Sequence, residues 1–369
     1  MAKLEESRYG KLSVLALYLY AFSIPFEDAI VLPVIGTITR FMGIIFLLVM
    51  LPNIRLVKLR VLSFQGYTYV LVVCASLFWS IVPDYLGAFR VIQWLFSTLL
   101  IANIVYDNPR IGDKTLTYFT YGTTIVGILT LAFMRNSMEG ELRASAFENQ
   151  ASNYLAITLC VGWGYAFYKL TNKEYLLGSF LLNLGIIFIL TFACFATGTR
   201  AGWLSIIGIL VLYNLLRFSL YSLFGSILVL VSVVILLNFT PILKSNLDNR
   251  IEKAQNDKGA GRQTIWIVGK TIIENNLLLG VGYRNFYYAF DQNAVDASEI
   301  SSDDYMRLTQ RSEGIVVSGS GAHNTFIGTL AEIGLIGFLA YVYWFLKLFL
   351  IPLRYPVNEM IKYLSLIHI

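Results

Sequence analysis

Apolar stretches long enough to cross a bilayer recur along almost the whole of this chain, and they constrain its fold more than any other feature. Taken in order, they lie near Leu12–Phe26, Val34–Leu51, Phe64–Val82, Leu86–Tyr106, Leu116–Met134, Ala151–Leu170, Tyr175–Ala196, Ala201–Phe218, Leu220–Phe239 and Thr325–Leu350. A backbone in hydrocarbon must satisfy its own polar groups, and an apolar run of about 18 residues does so as a helix. The expected fold is therefore an all-α polytopic membrane protein. It has about ten transmembrane helices and one large, partly helical loop before the last of them. Charged residues make up only 14% of the chain, against about 25% in a typical soluble protein. The expected organisation is residues 1–239 as helices one to nine, 240–322 as the loop, and 323–369 as the tenth helix and the start of a truncated eleventh. The segment Pro356–Ile369 is expected to open that eleventh span and stop after a turn or two, so His368 carries no functional weight. No cleavable signal peptide is expected, because the start MAKLEESRYGK is mixed in charge and no small-residue cleavage site follows.

Basic residues in short loops set the expected orientation. Lys3, Arg8 and Lys11 precede the first span; Arg55, Lys58 and Arg60 follow the second; Arg110 and Lys114 follow the fourth. Lys169 and Lys173 follow the sixth, Arg217 the eighth, and Lys347 and Arg354 the tenth. Every even-numbered exit is basic, which puts the N-terminus in the cytoplasm and the long loop outside. The same scattering means that the net charge of +5 forms no basic face for a nucleic acid. Cys74, Cys160 and Cys194 fall inside apolar segments and read as packing residues.

The chemistry of interest gathers at the outer ends of these spans. One of two histidines, His323, sits where the loop re-enters the membrane, after the Gly/Ser-rich SGSGA. A titratable imidazole there can do acid–base chemistry. The loop from Thr240 to Ala322 carries nine Lys/Arg and ten Asp/Glu and is close to neutral. Within it, Arg262 opens an amphipathic helix whose Ile265, Trp266, Ile272 and Ile273 are expected to lie on the bilayer surface. The Gly-rich, aromatic LLLGVGYRNFYYAF follows, then an acidic run through Asp304. Earlier, ATGTRAGW places Arg200 at a water–lipid boundary between a Gly-containing turn and the next helix.

The segments TGTRAGW, GRQTIW, LLLGVGYRNF and AHNTFIGTLAEIGLIG, in that order, resemble the O-antigen ligase and O-antigen polymerase superfamily. The resemblance runs from Leu142 to about Leu350. In LRASAFENQASNYLAITL the chain departs from it: Ala146–Phe147 and Gln150–Ala151 stand where the family has Gly–x–Phe and Pro–Asn pairs. The resemblance implies a helical glycosyltransferase of the bacterial inner membrane, working on the outer face. It implies transfer of a glycan from a polyprenyl-diphosphate carrier to an acceptor hydroxyl, with no nucleotide sugar, cofactor or metal. The acceptor is lipid A–core in a ligase and another repeat unit in a polymerase, and these motifs do not separate the two. The rival of another class is a flippase for a lipid-linked glycan. Transporters tend to show inverted repeats and mid-membrane charges, whereas charges here collect at span ends.

Diphosphate is a good leaving group, so such a protein mainly has to bind and neutralise it. Arginine suits that task through its planar fork of donors. Arg200 and Arg262 take this role and His323 that of proton acceptor or orienter for the acceptor hydroxyl. Each has a plainer reading: Arg200 or Arg262 as an anchor among headgroups, His323 as an interfacial residue capping the last helix with Asn324. Arg143, Arg284 and Asn324 are the candidates for substrate contact; the two arginines read equally as solvated loop charges. Asp303–Asp304 reads as a solvated acidic run rather than a metal site. Gly280–x–Gly282 lacks the βαβ surroundings of a dinucleotide fingerprint.

Overall fold

The computed structural model describes residues 8–27, 29, 31–32, 36–59, 64–133, 135–136, 144–145, 147, 152–171, 177–216, 223–227, 230–231, 262–294, 322 and 324–354. Its helices are α1 (Gly10–Ser23), α2 (Ile38–Met50), α3 (Phe64–Ser76), α4 (Tyr85–Asp107), α5 (Pro109–Phe133) and α6 (Ser152–Thr171). They continue with α7 (Leu177–Ala196), α8 (Arg200–Leu216), α9 (Arg262–Asn275), α10 (Phe286–Ala294) and α11 (Thr325–Arg354). Two short antiparallel ribbons join Val31–Leu32 to Gly36–Thr37 and Arg135–Asn136 to Ala144–Ser145. Among the described residues, five helical stretches are long and apolar enough to cross a membrane: Ile38–Leu56, Tyr85–Asp107, Pro109–Ala132, Leu177–Ala196 and Thr325–Lys347. Gly10–Phe26, Gly66–Ser76 and Ala201–Leu215 are shorter apolar helices. Most of the expected span Leu220–Phe239 lies outside the described residues.

The chain divides into two compact units. The first takes residues 1–57, 103–252 and 356–368, the second 58–102 and 253–355. In the first unit, α6 lies between α7, α5 and α8. Trp163 stacks on Phe167 with ring centroids 5.2 Å apart and donates its indole N–H to the Thr191 hydroxyl at 2.9 Å. An indole buried with its one donor satisfied adds apolar area without an orphaned group. Glycines let the helices approach closely: a Cβ at Gly122 would strike the Phe22 carbonyl, and one at Gly162 the Thr123 side chain. Small residues at such crossings are what helices packed in lipid require. Lys169 pairs with Asp113 at 2.7 Å, and the Tyr165 hydroxyl donates to the same carboxylate. Cys160 and Cys194 are buried here, sulfur to sulfur 3.7 Å, while Cys74 of the second unit is half-buried.

In the second unit, α11 packs along α3 and also carries α9 and α10. Ile265, Val268 and Ile272 of α9 are buried with Val281, Phe286, Ala289, Phe290 and Ala331. The amphipathic stripe of α9 therefore covers protein: Ile265 and Ile272 do not lie on a bilayer surface, and only Trp266 of that set is notably exposed. The third expected span also ends early. α3 stops at Ser76 instead of Val82, because the backbone from Ser76 onward is given to a loop two hundred residues further along the chain.

Candidate functional site

That loop is Leu277–Asn285. It enters a break in α11. Gly334 has φ 65° and ψ −173°, which interrupts the helical ladder and frees backbone groups around it. The loop takes them up: Val281 N–H donates to the Ala331 carbonyl at 2.9 Å, Gly282 N–H to the Glu332 carbonyl at 2.8 Å, and Leu335 N–H to the Leu277 carbonyl at 2.8 Å. A non-helical stretch in an apolar span is tolerated where protein satisfies it. Two glycines make the approach possible. A side chain on Gly280 (φ +70°) would enter the Glu332 carbonyl, and one on Gly334 the Leu278 carbonyl.

The same loop is sewn to the end of α3. Trp79 donates its indole N–H to the Leu279 carbonyl at 2.9 Å, and Tyr283 N–H donates to the Ser76 hydroxyl at 3.1 Å. Buried Asn285 accepts from Val82 N–H at 2.7 Å and donates to the Val82 carbonyl at 3.0 Å. The Glu332 carboxylate accepts from Phe286 N–H at 3.3 Å, at the first turn of α10. A carboxylate there meets the positive end of the helix.

Arg284 stands at the rim of this assembly. It holds φ 59° without being glycine, a conformation that costs energy and persists where the surroundings enforce it. Its guanidinium pairs with Asp84 at 2.8 Å, and Asp84 also caps α4 by accepting from Gly87 N–H at 2.7 Å. Half of the Arg284 side chain remains exposed, so the pair is worth little as a stability device and leaves guanidinium edges open. Burial first, and then the Glu332 carboxylate, push the Tyr283 phenol above its ordinary range.

Asn324 caps α11. Its side-chain oxygen accepts from Phe326 N–H at 2.9 Å and Ile327 N–H at 3.3 Å, the usual work of Asn at a helix start. His323, the preceding residue, and Arg143 lie outside the described residues, as do Asp303 and Asp304. Arg200 and Arg262 are the first residues of α8 and α9; their side chains lie outside the described residues. Arg200 belongs to the first unit, whereas Arg262, Arg284, His323 and Asn324 belong to the second.

The backbone at Arg200 is nonetheless well specified. Gly198 has φ 65° and donates to the Phe195 carbonyl at 3.0 Å, turning α7 directly into α8. Phe195 stacks on Trp203 across that turn, centroids 5.2 Å apart. Among the described residues, the buried indole N–H of Trp203 has no hydrogen-bond partner, a rare state that marks a group worth explaining.

The sequence alone does not mark Asp84, Glu332 and Asn285 as site-builders. Asp84 reads there as an acidic loop residue, and Glu332 as one carboxylate in an apolar helix. The usable signal was that carboxylate itself, since an ionisable group inside a span is costly unless paired.

The helices and the glycine-broken span define a helical membrane protein with an extended loop docked into one of its spans. Residues 185–342 match the family model of O-antigen ligase. That segment is similar to the O-antigen ligase domain, and it contains Arg200, Arg262, Arg284, His323 and Asn324. No curated protein matches the chain.

Proposed function

We propose that this protein is a membrane glycosyltransferase that moves a glycan from a polyprenyl-diphosphate carrier to an acceptor hydroxyl. We assign it to the outer face of the bacterial inner membrane, with the N-terminus cytoplasmic and residues 240–322 outside. The observation that carries this reading is the family match over 185–342, which takes in both candidate diphosphate-binding arginines and the candidate base. Arg200 and Arg262 neutralise the leaving diphosphate, and His323 accepts the proton of the attacking hydroxyl while the sugar C1–O bond to phosphate breaks. Arg143, Arg284 and Asn324 contact the substrates. No metal or cofactor takes part. The docked loop supports the assignment physically, since it ties the residues around Arg284 to α11 and a transfer site needs rigid support.

The acceptor we favour is lipid A–core, as in a ligase; a polymerase using a second repeat unit is the alternative within the family. The test is reconstitution of the purified protein in vesicles with lipid-linked glycan, offering each acceptor in turn. Product on lipid A–core supports the ligase reading, and lengthened glycan on the carrier supports the polymerase. Movement of the donor across the bilayer without any new glycosidic bond would replace both with a flippase.

A further inference from the structure

The second unit contains a cavity of about 280 Å³ lined by Tyr69, Arg90, Val91, Trp94, Tyr341 and Trp344. Its walls come from α3, α4 and α11. Trp344 meets Trp94 edge-on at 5.3 Å and stacks with Tyr69 at 6.2 Å, and Tyr69 meets Tyr341 at 5.8 Å. Arg90 and Trp94 lie five and nine residues into the apolar stretch that begins at Tyr85. At about 1.5 Å per residue they sit roughly 7 and 13 Å along the helix from its start.

Arg90 is the unusual member. It is exposed and has no ion-pair or hydrogen-bond partner among the described residues. An unpaired guanidinium in an apolar span is costly and marks a site where an anion is supplied from outside the chain. The remaining walls offer four aromatic rings, whose faces attract a cation and repel a second anion. The Glu332 carboxyl acts electrostatically on Tyr69. One positive group and one electron-rich cage, side by side, complement a zwitterion.

We infer that this cavity holds the headgroup of a zwitterionic phospholipid, with the phosphodiester on Arg90 and the terminal ammonium against Tyr69, Trp94, Tyr341 and Trp344. None of the residues proposed for glycan transfer lines the cavity, so this inference stands or falls independently of that reading. The guanidinium matches one phosphodiester in charge and geometry. A lipid with a net negative charge would leave its extra polar groups facing rings.

The experiment is native mass spectrometry of the full chain taken from nanodiscs of equimolar phosphatidylethanolamine and phosphatidylglycerol. We expect one phosphatidylethanolamine retained per chain, roughly tenfold or more over phosphatidylglycerol. Arg90→Gln, at an exposed and partnerless position, folds normally and loses that retention by a similar factor. A lipid-side comparison on the unaltered protein needs no variant: phosphatidylcholine, whose quaternary ammonium keeps the positive charge, is retained as well. Equal retention of phosphatidylglycerol overturns the inference, as does preferential retention of a polyprenyl phosphate. So does the absence of any retained lipid, or retention unchanged in Arg90→Gln.

Discussion

The side-chain amide of Asn285 holds the backbone of Val82 from both sides, accepting from its N–H at 2.7 Å and donating to its carbonyl at 3.0 Å. It thereby replaces the neighbouring strand or helical turn that Val82 lacks where α3 has ended. Asn285 itself is 1% exposed, and removing its amide takes both hydrogen bonds away from the Val82 backbone. Asn285→Ala should cost about 1–3 kcal/mol. Asn285→Asp keeps the acceptor but loses the donor and should fall between. Thermal unfolding of the three proteins in one detergent checks the order.

Gly280 and Gly334 face each other's backbones across the same docking. Each has a positive φ, and a Cβ on either would enter a carbonyl of the opposing segment. Gly334→Ala should therefore lose more than the strain of its conformation alone, on the order of 1–3 kcal/mol, because the loop must also move away. Gly208 of α8 makes a control: nothing lies within 4 Å of a Cβ there, so Gly208→Ala is expected to be much milder. Limited proteolysis between residues 277 and 285 reads the difference, with faster cleavage in Gly334→Ala alone.

Tyr283 gives the docking a pH signature. Its phenol is pushed above the ordinary value of 10.0, chiefly by burial and then by Glu332. A phenol with a higher pKa in the folded than in the unfolded chain adds stability that is intact below the ordinary value. That stability is lost as the pH rises through the folded value. The melting temperature should thus decline above pH 10, and Tyr283→Phe should make the decline shallower without changing stability near neutrality. An unchanged alkaline slope in the variant would show that other tyrosines account for it.

These tests concern the part of the molecule that the sequence shows least. The helices were legible because hydropathy is local: α4, α5, α7 and α11 can be recognised from their own residues. The break at Gly334 was not. AEIGLIG contains two glycines in one apolar run, and only contact with a loop fifty residues away decides which leaves the helix. Asp84 likewise shows its role only beside Arg284, two hundred positions on. Period alone gave α9 an apolar face, but whether lipid or protein covers it depends on α10 and α11. For the candidate site, sequence motifs pointed to Arg284 and Asn324, while the structure adds their immediate partners: Asp84 for the guanidinium, and the first turn of α11 for the amide.

Charge neutralisation in the proposed transfer falls to arginine, which makes metal unnecessary to it. Activity should persist after exhaustive EDTA treatment and stay unchanged on adding Mg²⁺ or Mn²⁺. Loss in chelator with recovery on metal would transfer the role to carboxylates and bring Asp303 and Asp304 forward.

The sharpest prediction requires three segments distant in sequence to act on one substrate. If Arg200 and Arg262 hold the donor diphosphate, Arg200→Ala and Arg262→Ala should each weaken donor use by on the order of 1.5–3 kcal/mol, the range of a charged hydrogen bond. Lysine should restore only part of it, since a point charge lacks the paired donors of guanidinium. His323→Ala should behave differently: donor binding stays near normal while the transfer step slows by roughly 10²–10⁴-fold, the contribution of a positioned general base. Donor-binding and single-turnover measurements on the same reconstituted proteins separate the two effects. Folded His323→Ala protein that transfers glycan at the normal rate would remove the histidine from the mechanism. Arginine variants with unaltered donor binding would do the same for the diphosphate site.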